Sequence, residues 1–400
     1  MKIMHLYRDF ALPGGIPEQT REIADAQIEL GHRVLAICSD TPNKEEVEEI
    51  STEMARIKYG FRGFGQLRGI IKNFHPDIIH ISSPLIPMDT LLALFAKLIC
   101  RVPVIVSPRG SLNPLGINVR FGGKPKSRLM TILKRIFISS AVKFLFRTAD
   151  AGHGESKYEA EVLHAMGCKR IITVPMGVNE DWLGTPNRKH NNFKTFTYFG
   201  RLDIYHKSLD LVLEAARQLK EAGYQFKIRL VGSDLCGSTS SLIKSVESME
   251  IGDVVTVEPH NGRMAEILGD TDFFLGVFRT AGMARASGGA IARGVPLIAS
   301  REGCWGDWVS EGQFGIVSTL SAEGLTDALS KALEMSPVEY NAMSEKAYEC
   351  AKSLNWSFVA KELTKGYKKY TATNAKDDEE QNLSSLSHHP SSKKFEGFLK

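Results

Sequence analysis

Four hundred residues, 43% hydrophobic and 24% charged, are too many for one ordinary core and suit two soluble globular domains. That composition excludes a mainly disordered, collagen-like or disulfide-scaffold chain, and a net charge of +4 gives no bulk reason to expect nucleic-acid binding. Six cysteines without a CxxC or zinc-like pairing point to reduced thiols and a cytoplasmic setting. The opening MKIMHLYRDF turns polar too soon to read as a signal peptide. The most apolar stretches are broken by Lys or Arg before they reach a spanning length.

In chain order, KIMHLY reads as a strand and ALPGGIPEQT as a glycine loop. Pro17 suits the first position of a helix and Glu18 its positive end. Ile23, Ala26 and Leu30 share one face of that helix, and Gly31 closes it. RVLAIC, PDIIHIS and VPVIVS are further strands, with an apolar helix over 87–100 giving a right-handed crossover. Such alternation predicts a parallel sheet between helices. The pattern restarts at TFTYFGR. Leu209, Val212, Ala216 and Leu219 share a helical face that Gly223 ends. FKIRLVGS, DVVTVEP, DFFLGVF, VPLIAS and GIVST follow as short strands. The expected plan is α/β: one Rossmann-like doubly wound domain over 1–183, a polar linker over 184–194, a second such domain over 195–355, a helix over 356–371 and a disordered tail over 372–400.

In parallel α/β sheets, ligands bind beyond the carboxyl ends of the strands. Pro13-Gly14-Gly15 lies there, either as an oxyanion cradle or as a tight strand-to-helix turn. It is neither GxGxxG nor a Walker A loop. In FGRLDIYHKSLD, Arg201 directly follows a strand and Lys207 starts the next helix. Two cations at one strand end suit a diphosphate; the alternative is a solvated face paired with Asp203 and Asp210. Arg109, in SPRG, reads as an anion ligand or as a paired arginine. His153 and Glu155, in AGHGES, read as acceptor-side groups or as a satisfied polar turn. Trp305 and Trp308 in CWGDW read as loop packing.

GRLDIYHKSLDLVLEA resembles the segment that opens the C-terminal domain of glycosyltransferase family four, enzymes of the GT-B fold. The GG loop with its helix ending ELGHRV, then PDIIHISSP, VIVSPRGSLNP, ITVPMGV and ARGVPLIAS, resemble family segments in the right order. NWSFVAKELTKGY is similar to the helix that crosses back onto the first domain. The resemblance implies two Rossmann-like domains facing across a cleft and a retaining transfer of sugar from a nucleotide-diphosphate donor to a hydroxyl of a glycan or lipid-linked acceptor. It implies that Arg201 and Lys207 stabilise the departing diphosphate, with no cofactor and no metal; neither a DxD in metal-site context nor HExxH occurs. Gly14 and Gly15 would let the first loop close on the donor.

The sequence departs from the family at one place. Two glutamates separated by seven residues are usual there, one for the donor sugar and one for the ribose hydroxyls. Aligning Gly294 and Pro296 puts Ala281 and Gly289 at those positions. Gly282, Met283 and Ala284 still offer backbone N–H groups to a phosphate. The chain is then an enzyme that handles its donor differently, an inactive homologue, or a sequence substituted at these two positions. A GT-B-like nucleotide-sugar epimerase is a further alternative.

From Thr90 to Ala149 there is no Asp or Glu, but there are eleven Lys and Arg. Arg120, Lys124, Lys126, Arg128, Lys134 and Arg135 interleave with Leu129, Ile132, Leu133, Ile136 and Phe137. The segment over 120–147 suits contact with an anionic membrane surface, or a helix that buries its apolar side. No stacking motif accompanies the charge, so RNA is not an expected partner.

Overall fold

The computed structural model describes residues 1–40, 47, 50–113, 127–184, 194–234, 237–260, 264–280 and 282–371. The tail, most of the expected linker, Ala281, and Arg120, Lys124 and Lys126 lie outside the described residues. The described chain divides into one unit of 1–113, 127–177 and 356–371, and another of 178–355.

The first unit is built on seven parallel strands: β1 (Lys2–Leu6), β2 (Arg33–Ser39), β3 (Glu53–Ile57), β4 (Ile78–Ser82), β5 (Val104–Ser107), β6 (Ala151–Gly154) and β7 (Ile171–Thr173). Their order is β3-β2-β1-β4-β5-β6-β7. The strand order reverses between β1 and β4, where Ile3 lies opposite Ile78 and His5 opposite His80. A sheet covered on both faces needs apolar residues at nearly every position, and all five residues of β4 are buried. The helices are α1 (Gly15–Glu29), α2 (Phe61–Phe74), α3 (Pro87–Leu98), α4 (Arg128–Phe137), α5 (Lys143–Thr148) and α6 (Lys157–Ala165), with a π-helical turn, Ile138–Val142, joining α4 to α5.

Helix α1 begins two residues before Pro17. Gly14, at φ 138°, caps it, and its carbonyl accepts from Glu18 N at 3.0 Å. Proline fits because a first-turn N–H has no intrahelical partner. Leu30 lies just past this helix and is exposed, while Gln27 takes a fully buried place and accepts a hydrogen bond from His5. Polar side chains go inside where a partner waits.

The second unit has six parallel strands: β8 (Lys194–Phe199), β9 (Phe226–Gly232), β10 (Val255–Pro259), β11 (Phe273–Gly276), β12 (Leu297–Ser300) and β13 (Gly315–Ser318). Their order, β10-β9-β8-β11-β12-β13, reverses between β8 and β11. Its helices are α7 (Leu209–Glu221), α8 (Thr239–Ser248), α9 (Met264–Ile267), α10 (Arg285–Ile291), α11 (Cys304–Gly312), α12 (Ala322–Glu334) and α13 (Pro337–Ser353). Leu209, Val212, Ala216 and Leu219 form the buried face of α7. CWGDW is the first turns of α11 rather than a loop, because Trp305 is buried and its Nε1 donates to Ala284 O at 3.3 Å. Ser336 and Glu339 cap α13 reciprocally.

The last described helix, α14 (Trp356–Thr371), belongs with the first unit and packs on α1. It buries Trp356, Val359, Ala360, Leu363 and Tyr367, whereas Phe358 is exposed.

Candidate functional site

The loops after β8 and β11 emerge side by side where the second sheet reverses its strand order. That is where a doubly wound sheet opens a binding crevice. Gly232, at the end of β9, lets the β8 loop pass: a Cβ there would overlap Gly200 O. Leu202 N then bonds Ser233 O at 3.0 Å, and Tyr198 Oη donates to Arg201 O at 2.5 Å. The backbone carrying Arg201 is thus held from two strands.

Arg201 and Lys207 flank one buried carboxylate. Asp203 Oδ2 is 3.9 Å from Arg201 Nε, and Oδ1 accepts from His206 N at 3.1 Å and pairs with His206 Nδ1 at 3.0 Å. Lys207 N donates to Asp203 O at 3.0 Å. Lys207 therefore lies in the turn before α7 rather than in its first turn, because Ser208 adopts a left-handed conformation, φ 54°, as the cap. Its Nζ lies 4.5 Å from the centre of the buried Phe278 ring. Burial and the nearby Arg201 charge push the Lys207 ammonium down to about 8, against a smaller upward pull from Asp203. Asp210 does not serve these cations. It takes a forked pair from Arg279, at 2.5 and 2.8 Å, and Arg279 also donates to Tyr205 O at 3.0 Å. Thr280 N reaches His206 O at 3.3 Å, so the two loops are tied together. Two cations above one buried carboxylate suit a dianion with several oxygens.

The segment after β11 runs into α10. Met283 is buried, and Ala284 caps the helix with its carbonyl accepting from Ser287 N at 3.0 Å. Gly282 is half-buried beside them. Gly289 lies buried within α10, where a Cβ would overlap Met264 Sδ. The space beside Gly289 is filled by the thioether of α9.

In the first unit, Gly14 and Gly15 open α1 after β1, beside the strand-order reversal of that sheet. A Cβ on Gly15 would meet nothing within 4 Å. Arg109, at φ 49° after β5, is buried and donates to Glu155 Oε1 at 2.6 Å. Glu159 accepts from Gly110 N at 2.5 Å and Glu155 N at 2.9 Å. Burial, with the Glu155 charge beside it, pushes its carboxyl up to about 7. His153 lies inside β6, not after a strand, and pairs with Val174 O at 2.9 Å. It is the end of a buried row: ring centres are 5.5 Å apart for His5–His80 and 5.4 Å for His80–His153. Tyr367 Oη and His80 Nδ1 share a hydrogen bond at 2.7 Å. Burial holds His5 down at about 4 and His153 at about 3, with His80 also well below its ordinary value. These three are neutral core groups.

Sequence reasoning missed Phe278, Met264 and the histidine row. A single His inside each of the apolar strands MHL and IHI was the available signal for the row. The pairings across 25 or more positions had none.

Two doubly wound parallel α/β sheets are the architecture of the GT-B class of glycosyltransferase. The profile described as Glycosyltransferase Family 4 matches residues 13–182, and that described as Glycosyl transferases group 1 matches residues 185–350. The chain belongs to this glycosyltransferase family. Among solved structures it is similar to sucrose-phosphate synthase from Thermosynechococcus elongatus, with TM-score 0.72 and 18% identity, over 92% of this chain and 98% of that one. It is also similar to Anabaena Alr3699/HepE in complex with UDP and glucose, with TM-score 0.69 and 16% identity, over 91% and 98%. Starch Synthase IV from Arabidopsis thaliana, bound to ADP and acarbose, aligns with TM-score 0.63 and 14% identity, over 93% and 99%. A comparison with curated protein sequences finds no match.

Proposed function

We propose that the chain is a retaining glycosyltransferase that moves a sugar from a nucleotide-diphosphate donor to a hydroxyl of a glycan or lipid-linked acceptor met at an anionic membrane surface. The observation that carries it is the pairing of Arg201 and Lys207 over Asp203 at the reversal between β8 and β11. Cleaving the sugar–phosphate bond builds negative charge on the leaving diphosphate. Fixed cations stabilise that charge most in the transition state. Arg201 offers a fork and Lys207 a point charge. With its pKa at about 8, Lys207 is mostly protonated near neutral pH. Gly14 and Gly15, and the backbone at Gly282, Met283 and Ala284, complete the donor side of the proposal. Arg109, His153 and Glu155 are buried, so they enter it as the frame of the acceptor side rather than as groups that touch the acceptor.

One observation favours a second reading, a homologue that binds nucleotide without turnover. Gly289 has no side chain to hold ribose hydroxyls, and Met264 fills the adjoining space. Calorimetric titration with UDP, GDP, ADP and CDP tests both. Binding of one nucleotide that is lost in Arg201→Ala and in Lys207→Ala is expected. Transfer or donor hydrolysis with the matching sugar nucleotide then favours the enzyme; binding with neither favours the second reading. No binding to any of the four refutes both.

A further inference from the structure

The helical run from Arg128 to Thr148 has two halves with opposite surroundings. The π turn buries Ile138 and Val142, and α5 buries Leu145 and Phe146. Helix α4 buries nothing. Its Leu129, Met130, Ile132, Leu133 and Ile136 are between 45% and 66% exposed. Single exposed leucines are ordinary, but five such residues on a ten-residue helix form a patch.

The patch is ordered. Leu129, Ile132, Leu133 and Ile136 follow the i, i+3, i+4, i+7 pattern and make one stripe, with Met130 at its edge. Arg128 and Arg135 flank one side, and the half-buried Lys134 lies on the opposite face with Thr131 and Phe137. Past the π turn, a groove of about 580 Å³ continues the surface, lined by Leu94, Ser139, Ser140, Lys143, Phe144 and Arg147. Phe144 is 48% exposed at its rim. Of the eleven cations between Thr90 and Ala149, Lys97 and Arg109 are matched by Asp150 and Glu155, which lie just outside that stretch.

Charge selects the occupant. A second copy, packed through the same face, would bring these cations against their own images. A bilayer with anionic lipids supplies an apolar layer for the stripe and phosphates for its flanks at once. We propose that α4 is an interfacial helix that lies in the head-group region of an anionic bilayer. Leu129, Ile132, Leu133 and Ile136 face the acyl chains, and Arg128, Arg135, Lys143 and Arg147 lie among the lipid phosphates. The proposal deepens the function above by naming the surface that brings the acceptor, and rests on it only in that respect.

The test is flotation of the full chain with phosphatidylcholine vesicles, with and without phosphatidylglycerol. Binding to the anionic vesicles is expected to be at least about tenfold tighter and to weaken with salt. Leu133→Ser with Ile136→Ser, and separately Arg128→Glu with Arg135→Glu, should each lower it on the order of tenfold, with the thermal unfolding profile unchanged. Absence of vesicle binding, equal binding to both vesicles, or variants that bind like the parent would overturn the proposal. So would a dimer in sedimentation that the Leu133 and Ile136 changes dissolve, since a second copy would then cover the face. Nucleotide titration on the same preparation separates the two proposals: its failure refutes the donor site and leaves the vesicle result standing.

Discussion

Lys207→Met should make the protein more stable while removing a proposed diphosphate ligand. Methionine keeps an apolar stem against Phe278 and deletes the ammonium. In the folded protein that ammonium is held at about 8, against an ordinary value of 10.5. Each unit is worth about 1.36 kcal/mol, so keeping the charge costs the folded state about 3 kcal/mol well below pH 8. The contact with the Phe278 ring, at 4.5 Å, returns about 0.5–2 kcal/mol. The variant should therefore gain about 1–2.5 kcal/mol near neutral pH, or roughly 2–10 °C in the unfolding of its unit.

The sign with pH follows from the lowered value. Below about 8 the lysine is charged in both states and the full penalty applies. As pH rises from about 8 toward 10.5 the folded protein releases the proton first, and the penalty disappears. Urea unfolding of parent and variant at about pH 7 and about pH 10 measures this, with the gain present at the lower pH and nearly absent at the higher. A saturating nucleoside diphosphate should reverse the order at neutral pH, because ligand at about a hundred times its Kd adds about 2.7 kcal/mol to the parent alone. A variant less stable at both pH values, or stabilised equally at both, would show that Lys207 is not a strained cation awaiting an anion.

Arg201→Ala should weaken nucleotide binding about 10–100-fold by calorimetry, the cost of one charge-assisted hydrogen bond or two. Its unfolding midpoint should barely move, since its contact with the Asp203 carboxylate, at 3.9 Å, is a long one. Gly232→Ala should destabilise by about 1–3 kcal/mol in urea unfolding, because the added Cβ meets the Gly200 backbone rather than a movable side chain. A neutral result there would mean that the β8 and β9 loops do not meet so closely. Acid should destabilise the first unit. His5, His80 and His153 stay neutral when folded but take up protons when unfolded, which costs up to about 4 kcal/mol per pH unit below about pH 6.5, while the buried Asp89 and Glu159 carboxyls, held up at about 7, bind protons in the folded state and return up to about 2.7, so stability falls by about 1.4 kcal/mol per pH unit. A flat urea midpoint between about pH 6 and 4 would contradict the buried row.

The parallel strands were legible because each is an apolar run between turn residues, and the restart at β8 was legible because the pattern repeats. Boundaries were less so. Gly14 moved the start of α1 ahead of Pro17, and Ser208 in a left-handed conformation pushed Lys207 out of α7. Both are backbone choices that residue type only weakly foreshadows. CWGDW looked like a loop because Gly and two Trp residues are poor helix signals, yet burial of Trp305 against Ala284 overrode propensity. The candidate site divided in the same way. Arg201 and Lys207 stand six positions apart and could be read together; Arg109 with Glu155, 46 apart, and Met264 with Gly289 meet only in the fold.

Tyr367, which bonds His80 from 287 positions away, orders events during synthesis. The first unit finishes its core only when α14 docks on α1, so its core stays incomplete until residues 356–371 follow the second unit's stretch 178–355. The half begun first at the ribosome is closed last. In the interval its sheet is missing the helix that buries Leu363 and Tyr367. A released chain truncated before residue 356 should thus present a folded second unit and an unfinished first one, and chaperones that bind apolar surface should find their target at the N-terminal end.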